Sequence, residues 1–284
     1  MSFIAHIDAC NRWEPSAFMP LILAGERVGW VRPEFAEYLT QLSSDFVLEQ
    51  QCCCWQQAPA DFDQRSAVMA QLCQQLQRDG WVPQLHGELY PVTPNERHQA
   101  RLVIDRGCAP CFGVRAFGQH LNGYVRTANG LALWVPRRAA DRRHYPDHYD
   151  NTVAGGLPWG LSLRANLAKE CWEEASIPAT LAEQARSVSA ISYCHATERG
   201  LKPDVMYCYD LELPADFIPQ CNDDEVAGFE LWSIEQVMDR VRTTTQFKLN
   251  CNLVIIDFLI RHGLIDPDTP EYLTLITRLR SPLP

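Results

Sequence analysis

The sequence predicts an α+β protein made of two units, and two observations carry that prediction. Its elements come in mixed order, strands, then a helix, then strands, then helices, without the strict alternation that a doubly wound parallel sheet needs. The pattern also changes near Cys111, so 1–112 reads as a smaller α+β unit and 113–284 as the larger domain.

In the first unit, Pro33 opens a helix whose apolar positions Phe35, Tyr38, Leu39 and Leu42 recur at i, i+3, i+4 and i+7. A second helix runs from about Asp63 to Asp79, with Val68, Leu72 and Leu76 on one stripe and Gly80 as its stop. Trp81–Val92 and Ala100–Val103 look extended. In the second unit, Gly118–Val125 and Leu131–Val135 read as strands joined by a turn at Asn129–Gly130. The stretch Arg137–Asn151 is too rich in Arg, Asp and His for a core element and is expected as a loop. A Gly-rich turn and a helix follow over 155–175. Further strands are expected at Ser187–Tyr193, Val205–Leu213 and Gly228–Trp232, and helices at Ser233–Val241, Leu249–His262 and Pro270–Leu279.

With 284 residues, 46% hydrophobic and 21% charged, the chain can bury a substantial core and has the balance of a soluble globular protein. No apolar run approaches the ~20 residues that span a bilayer, and the start lacks a secretory pattern, so the cytoplasm is the expected location and no membrane partner is expected. A net charge of −10 argues against broad nucleic-acid binding, which needs a basic face. It does not exclude small phosphorylated ligands, because a bound divalent cation brings positive charge with it. The twelve cysteines lack the paired spacing of a structural zinc site. Free buried thiols are expected, with Cys108 and Cys111 the pair open to a redox or metal role.

The chemistry concentrates in Gly155-Gly-Leu-Pro-Trp-Gly-Leu-Ser-Leu-Arg-Ala-Asn-Leu-Ala-Lys-Glu-Cys-Trp-Glu-Glu-Ala-Ser-Ile177. Ser162 suits the N-cap of a helix whose buried stripe is Leu163, Leu167, Cys171 and Ala175. Glu170, Glu173 and Glu174 fall at i, i+3 and i+4, within an arc of roughly 100°. Three carboxylates on one arc repel one another unless a cation lies among them, and hard oxygen donors suit Mg²⁺ or Mn²⁺. The plain alternative is a solvated acidic face with Lys169 pairing Glu173. The two glycines ahead of the capped helix favour the first reading, since they let the backbone approach a metal or phosphate closely.

This segment resembles the Nudix box, G-x5-E-x7-R-E-U-x-E-E-x-G-U, with U a bulky aliphatic residue. Gly155 matches the first glycine, Glu170 the Glu after the Arg, Glu173 and Glu174 the paired acids, and Ile177 the last aliphatic position. The sequence departs from the pattern at Leu161, Lys169, Cys171 and Ser176, so the usual Glu and Arg that support the acids are missing. The resemblance implies an α/β/α sandwich after the N-terminal domain, divalent cations held by Glu170, Glu173 and Glu174 with the Gly155 carbonyl, and hydrolysis of an organic diphosphate. It also implies a base, either Glu174 or a Glu from a later loop. Glu225 is the matching candidate, ahead of Glu230.

The runs FGVRAFGQHLNGYVR, LWVPRR, YPDHYDNTVAGGLPWGLS and DVMYCYDLELP resemble more narrowly a Nudix subfamily related to thiamine pyrophosphokinases, in which Leu at position 161 is ordinary. That resemblance implies thiamine diphosphate or its oxidised analogues as substrate, giving the monophosphate and phosphate. Nucleotide diphosphates such as ADP-ribose or dinucleotides are the alternative substrates, and a catalytically weak diphosphate sensor the alternative role. Arg126, Arg137 and Arg138, at strand ends ahead of the box, are candidates to grip phosphate oxygens, or else solvated loop arginines. Tyr207 is a candidate wall for the organic group, with core packing as its alternative. The N-terminal unit carries no readable motif. Shaping the substrate pocket and mediating a homodimer are the roles open to it.

Overall fold

The structure is a computed structural model that describes residues 2–222 and 224–284. The chain starts with helix α1 (Phe3–Cys10), where the Ser2 hydroxyl accepts the Ala5 N–H as its cap. The N-terminal unit follows with β1 (Met19–Leu23), β2 (Glu26–Val31), α2 (Pro33–Leu42), β3 (Phe46–Glu49), β4 (Cys52–Trp55), α3 (Phe62–Arg78), β5 (Leu89–Val92), β6 (Leu102–Asp105) and the short α4 (Ala109–Phe112). Its sheet has the order β2-β1-β4-β3, and β5 and β6 form a separate antiparallel pair. Helices α2 and α3 form where the apolar spacing predicts them.

The four strands of this sheet are absent from the sequence reading, for a physical reason. Met-Pro-Leu-Ile-Leu is almost wholly apolar and Cys-Cys-Cys-Trp shows no polar alternation, so neither segment displays the two-residue period of a half-buried strand. Of the stretch Trp81–Val92, only Leu89–Val92 is strand.

The C-terminal unit comprises β7 (Ala116–Thr127), β8 (Gly130–Arg138), β9 (Val153–Gly156), α5 (Leu163–Ala175), α6 (Ala179–Ala182), β10 (Arg186–Thr197), β11 (Gly200–Glu212), β12 (Val226–Ser233), α7 (Ile234–Thr243), α8 (Cys251–Arg261) and α9 (Tyr272–Arg278). The sheet runs β10-β11-β7-β8-β12, with β9 paired to β7. β7 and β11 are parallel and the other pairs antiparallel. Leu167, Cys171 and Ala175 of α5 bury against Leu121, Val125, Tyr209 and Leu211 on one face. On the other face Tyr124, Ile191, Met206 and Cys208 pack against α7, α8 and α9. Two helical layers around one mixed sheet make the α/β/α sandwich.

Helix α1 joins that second layer. Phe3, Ile7 and Cys10 belong to the core built by α7, α8 and α9, and the buried His6 ring hydrogen-bonds the Val241 carbonyl at 2.7 Å. The segment read as a Gly-rich turn is partly strand: Val153–Gly156 pairs with Leu121–Gly118.

Candidate metal and substrate site

The acidic end of α5 emerges at the free edge of β9. Ser162 caps the helix through the Ala165 N–H, and Ser176, in the left-handed conformation, ends it. Glu174 Oε2 accepts the Ala154 N–H at 2.8 Å. Glu170 lies directly under Gly155, where an added Cβ would fall 2.4 Å from its Cδ. A side chain at 155 would push that carboxylate away from the strand. Burial raises the pKa of Glu170, with Lys169 acting against the shift and Glu173 and Glu88 adding to it. Burial also pushes Glu174 up to about 8, opposed by the Ala154 N–H and reinforced by Asp150 and Glu170. Lys169 Nζ reaches Glu173 at 2.6 Å and Glu170 at 3.4 Å.

This donor set fits a hard divalent cation: carboxylates disfavoured as anions by their surroundings, beside a backbone cleared by glycine. The three carboxylates are not drawn together to ligand distance, since Glu173 turns to Lys169 and Glu174 to β9. Among the described residues, three ligand atoms within 4.8 Å of one another occur only at His120, Asp150 and Cys251. That buried cluster does not suit a cation. Asp150 is already neutralised by Arg138 at 3.0 Å and Lys248 at 3.2 Å, and it accepts the Cys251 thiol at 2.7 Å. It ties the loop 139–149 to the start of α8.

His120, 4% exposed, bonds Asn151 Oδ1 at 2.8 Å, and burial with the nearby Lys248 lowers its pKa to about 4. A lowered histidine pKa adds stability that is complete above its unfolded value near 6.5 and is lost as pH falls towards 4. The unfolding free energy is therefore expected to drop by up to about 3 kcal/mol over that window on account of His120. Denaturant titrations of the wild type and His120→Gln at pH 7 and pH 4 check this, and an equal drop in both proteins would refute it.

The other expected site residues distribute unevenly. Glu225 stands at the end of a loop stapled to α5, where Asn222 donates to the carbonyls of Glu173 and Trp172. Its carboxylate pairs Arg142 at 2.8 Å. Glu230 instead accepts the Trp232 indole N–H within β12. Arg138 is buried against Asp150 and holds the carbonyls of His144 and Tyr145, so its guanidinium is committed to the loop. Arg137 pairs Asp147 in solvent. Arg126 is not brought to the acids: it pairs Glu212, eight residues along β7 from Gly118, or about 26 Å at strand rise. There it lines a separate cleft of about 430 Å³ with Arg186, Arg261 and His262. Tyr207 stacks on Phe117, ring centroids 6.4 Å apart, on the α5 side of the sheet.

Sequence reasoning left shaping of the site open to the N-terminal unit but named none of the residues that do it. Arg97 donates to the carbonyls of Pro158 (2.6 Å) and Leu161 (2.7 Å), Trp159 N–H donates to Leu89 O (2.6 Å), and the Tyr90 hydroxyl occupies the place a Cβ on Gly156 would take. The loop between β9 and α5 is thus clamped from outside its own domain. No local signal in the Arg97 or Tyr90 segments announces this, because docking of one unit on another leaves no periodicity. Arg97→Ala is expected to raise the divalent cation concentration for half-maximal activity by about 10-fold, as loss of an outer-shell support does. A metal titration of activity that shows no displacement would remove Arg97 from this role.

Comparison with known proteins gives two family matches. Residues 2–116 match a domain of unknown function (DUF4743), and residues 122–250 match the NUDIX domain. The chain is similar to Nudix hydrolase 20, chloroplastic, of Arabidopsis thaliana, at 39% identity over 98% of this chain and 78% of the relative. Nudix hydrolase 24, chloroplastic, of the same plant matches at 39% with the same coverage. Among solved structures, the NUDIX domain of Shewanella oneidensis NrtR complexed with ADP ribose aligns over 54% of this chain and 91% of its own, with a TM-score of 0.42 and 13% identity.

Proposed function

The chain belongs to the Nudix hydrolase family and is a diphosphate hydrolase of the kind that uses divalent metal ions; from that premise we propose that it converts thiamine diphosphate, or more readily its oxidised analogues, to the monophosphate and phosphate with Mg²⁺ or Mn²⁺. The observation that carries the metal part of this reading is the Glu170 carboxylate seated under Gly155, with Glu174 anchored beside it on the Ala154 N–H. The thiamine part rests on the runs Phe112–Arg126 and Tyr145–Ser162 and their likeness to the thiamine-linked subfamily.

In the reaction a water oxygen attacks one phosphorus, the bridging P–O bond breaks, and the water proton passes to a carboxylate. A bound divalent cation would neutralise the diphosphate oxygens and acidify the attacking water. Glu170 and Glu173 are the residues to hold it, with the Gly155 carbonyl. Glu174 is the base we favour: burial raises its pKa to about 8, which makes the ionised carboxylate a stronger proton acceptor than an ordinary one, and a bound cation would favour that ionised form. Glu225, on the loop stapled to α5, is the second candidate.

Oxidised thiamine carries an uncharged thiazolone ring, which enters a partly apolar site at lower desolvation cost than the thiazolium cation. The expected order of kcat/KM is therefore oxothiamine diphosphate above thiamine diphosphate, with ADP-ribose below both, all under the same Mg²⁺. A clear preference for ADP-ribose would refute the thiamine reading and leave the diphosphatase standing.

A further inference from the structure

On the sheet face away from α5, β10 and β11 present a polar group inside an otherwise apolar layer. The register sets Tyr193 opposite Asp204 and His195 opposite Lys202, and cross-strand partners share a face. Asp204 is 9% exposed. Its Oδ2 accepts the Tyr193 hydroxyl at 2.8 Å and pairs Lys202 at 3.2 Å, while its Oδ1 is buried and, among the described residues, has no hydrogen-bond partner. His195 Nδ1, on the neighbouring cross-strand pair, is buried without a partner as well, and its ring lies parallel to Tyr193 at 5.9 Å. Asn250, just before α8, donates to the Tyr193 hydroxyl. A carboxylate oxygen and an imidazole nitrogen left unmatched so close together are costly to the fold alone.

The same register shows what lies between this group and the metal site. Asp204 is aligned with Ala116, Met206 with Gly118, and Gly118 with Gly156. The strip from β11 across β7 to β9 therefore has a floor of one methyl group and two glycines, about 12 Å long from strand spacing and rise. The Tyr90 hydroxyl stands over its far end at Gly156. Tyr90 is near enough to both Glu170 and Asp204 for their charges to help raise its pKa, behind the effect of its burial. The far end of the strip is the edge strand β9, and the cation-binding acids lie round that edge on its α5 side, with Glu170 under Gly155 and Glu174 on the Ala154 N–H; the near end holds an acceptor without a donor among the described residues. A heterocycle at Asp204 would carry its diphosphate tail along the strip and round the β9 edge.

We propose that Asp204, with Tyr193 and His195, forms the subsite for an amino-substituted aromatic heterocycle at the organic end of the substrate, Asp204 Oδ1 accepting a hydrogen bond from the ring's amine. This rests on the diphosphate-hydrolase reading above. An ionised carboxylate can only accept, so the ligand must bring an N–H. A carbonyl in the same place would set oxygen against oxygen. Aminopyrimidines of the thiamine type and aminopurines of the adenosine type share this chemistry.

The test compares kcat/KM for amino and oxo members of two pairs: thiamine and oxythiamine diphosphates, and adenosine and inosine diphosphate riboses. Wild-type enzyme is expected to prefer the amino member by about 10–100-fold, the factor for a hydrogen bond to a charged group. Asp204→Asn keeps the size of the side chain and offers an amide donor, so it should bring the ratio to one or below. His195→Ala should reduce turnover of both members. Circular dichroism and a thermal melt confirm that both variants fold. Which pair turns over identifies the ring. A wild-type ratio near one overturns the subsite, as does an unchanged ratio in folded Asp204→Asn or the turnover of other diphosphates with neither pair accepted; each leaves the metal-dependent hydrolase in place. Absence of hydrolysis on every diphosphate with Mg²⁺ overturns both.

Discussion

Glu173→Gln or Glu174→Gln is expected to lower kcat about 10²-fold or more, the scale of losing a metal ligand or a base. Each amide keeps the shape of the side chain and removes a carboxylate oxygen able to hold a cation or take a proton, so the change isolates the chemistry from packing. Among the described residues the Glu173 carboxylate is held only by Lys169 at the surface, and its substitution should leave the melting temperature nearly unchanged. Glu174 differs, because it also receives the Ala154 N–H and its amide oxygen can still accept that bond. Activity of the wild type should vanish on chelation and return with Mg²⁺ or Mn²⁺, while neither variant recovers at any cation concentration. Full turnover by both variants would remove the box acids from the chemistry altogether.

The second large effect concerns the fragment 113–284, which on sequence grounds carries the whole metal site. It keeps Glu170, Glu173, Glu174 and Glu225, yet it loses Phe3, Ile7 and Cys10 from the core between α7, α8, α9 and the sheet. Ile7 is completely buried. Truncating single buried residues of that kind costs about 2–5 kcal/mol each, and a whole domain is stable by about 5–15 kcal/mol. The fragment is therefore expected to lack a cooperative melt and to expose apolar surface. A fragment in which residues 2–12 are rejoined to 113–284 by a flexible linker should regain the melt. Cooperative unfolding of the bare 113–284 fragment within a few degrees of the full chain would contradict this.

How much of this was legible follows from what each feature depends on. Helix α5, its Ser162 cap, the glycine pair and the one-sided acids are local, and spacing alone places them. The strand pair β7–β8 and helices α7, α8 and α9 also announce themselves by period and turn chemistry. Strands such as Cys52–Trp55 do not, since their residues are apolar on both faces. Site residues on strands proved harder than those on the helix. Arg126 sits on a real strand, but register, which no single strand encodes, takes it to Glu212 and away from the acids. Asp150 looked like a loop acid and is instead buried between Arg138 and Lys248, a partner 98 residues away. The clamp by Arg97 and the placement of Tyr90 depend on two units meeting, and nothing local foretells that.

The place of helix α1 has a consequence for how the chain is made. His6 contacts Val241, 235 residues later, and the Cys10 thiol contacts Leu249, 239 residues later. At about 5–20 residues per second, a ribosome needs on the order of 10–50 s to deliver those partners after residues 3–10 have emerged. Through that interval the apolar side of Phe3, Ile7 and Cys10 has no partner, although the sheet and helices of the N-terminal unit are already available to fold beside it. Growth of the nascent chain and completion of the structure thus run in different orders, and residues 3–10 wait for partners made at least 235 residues later.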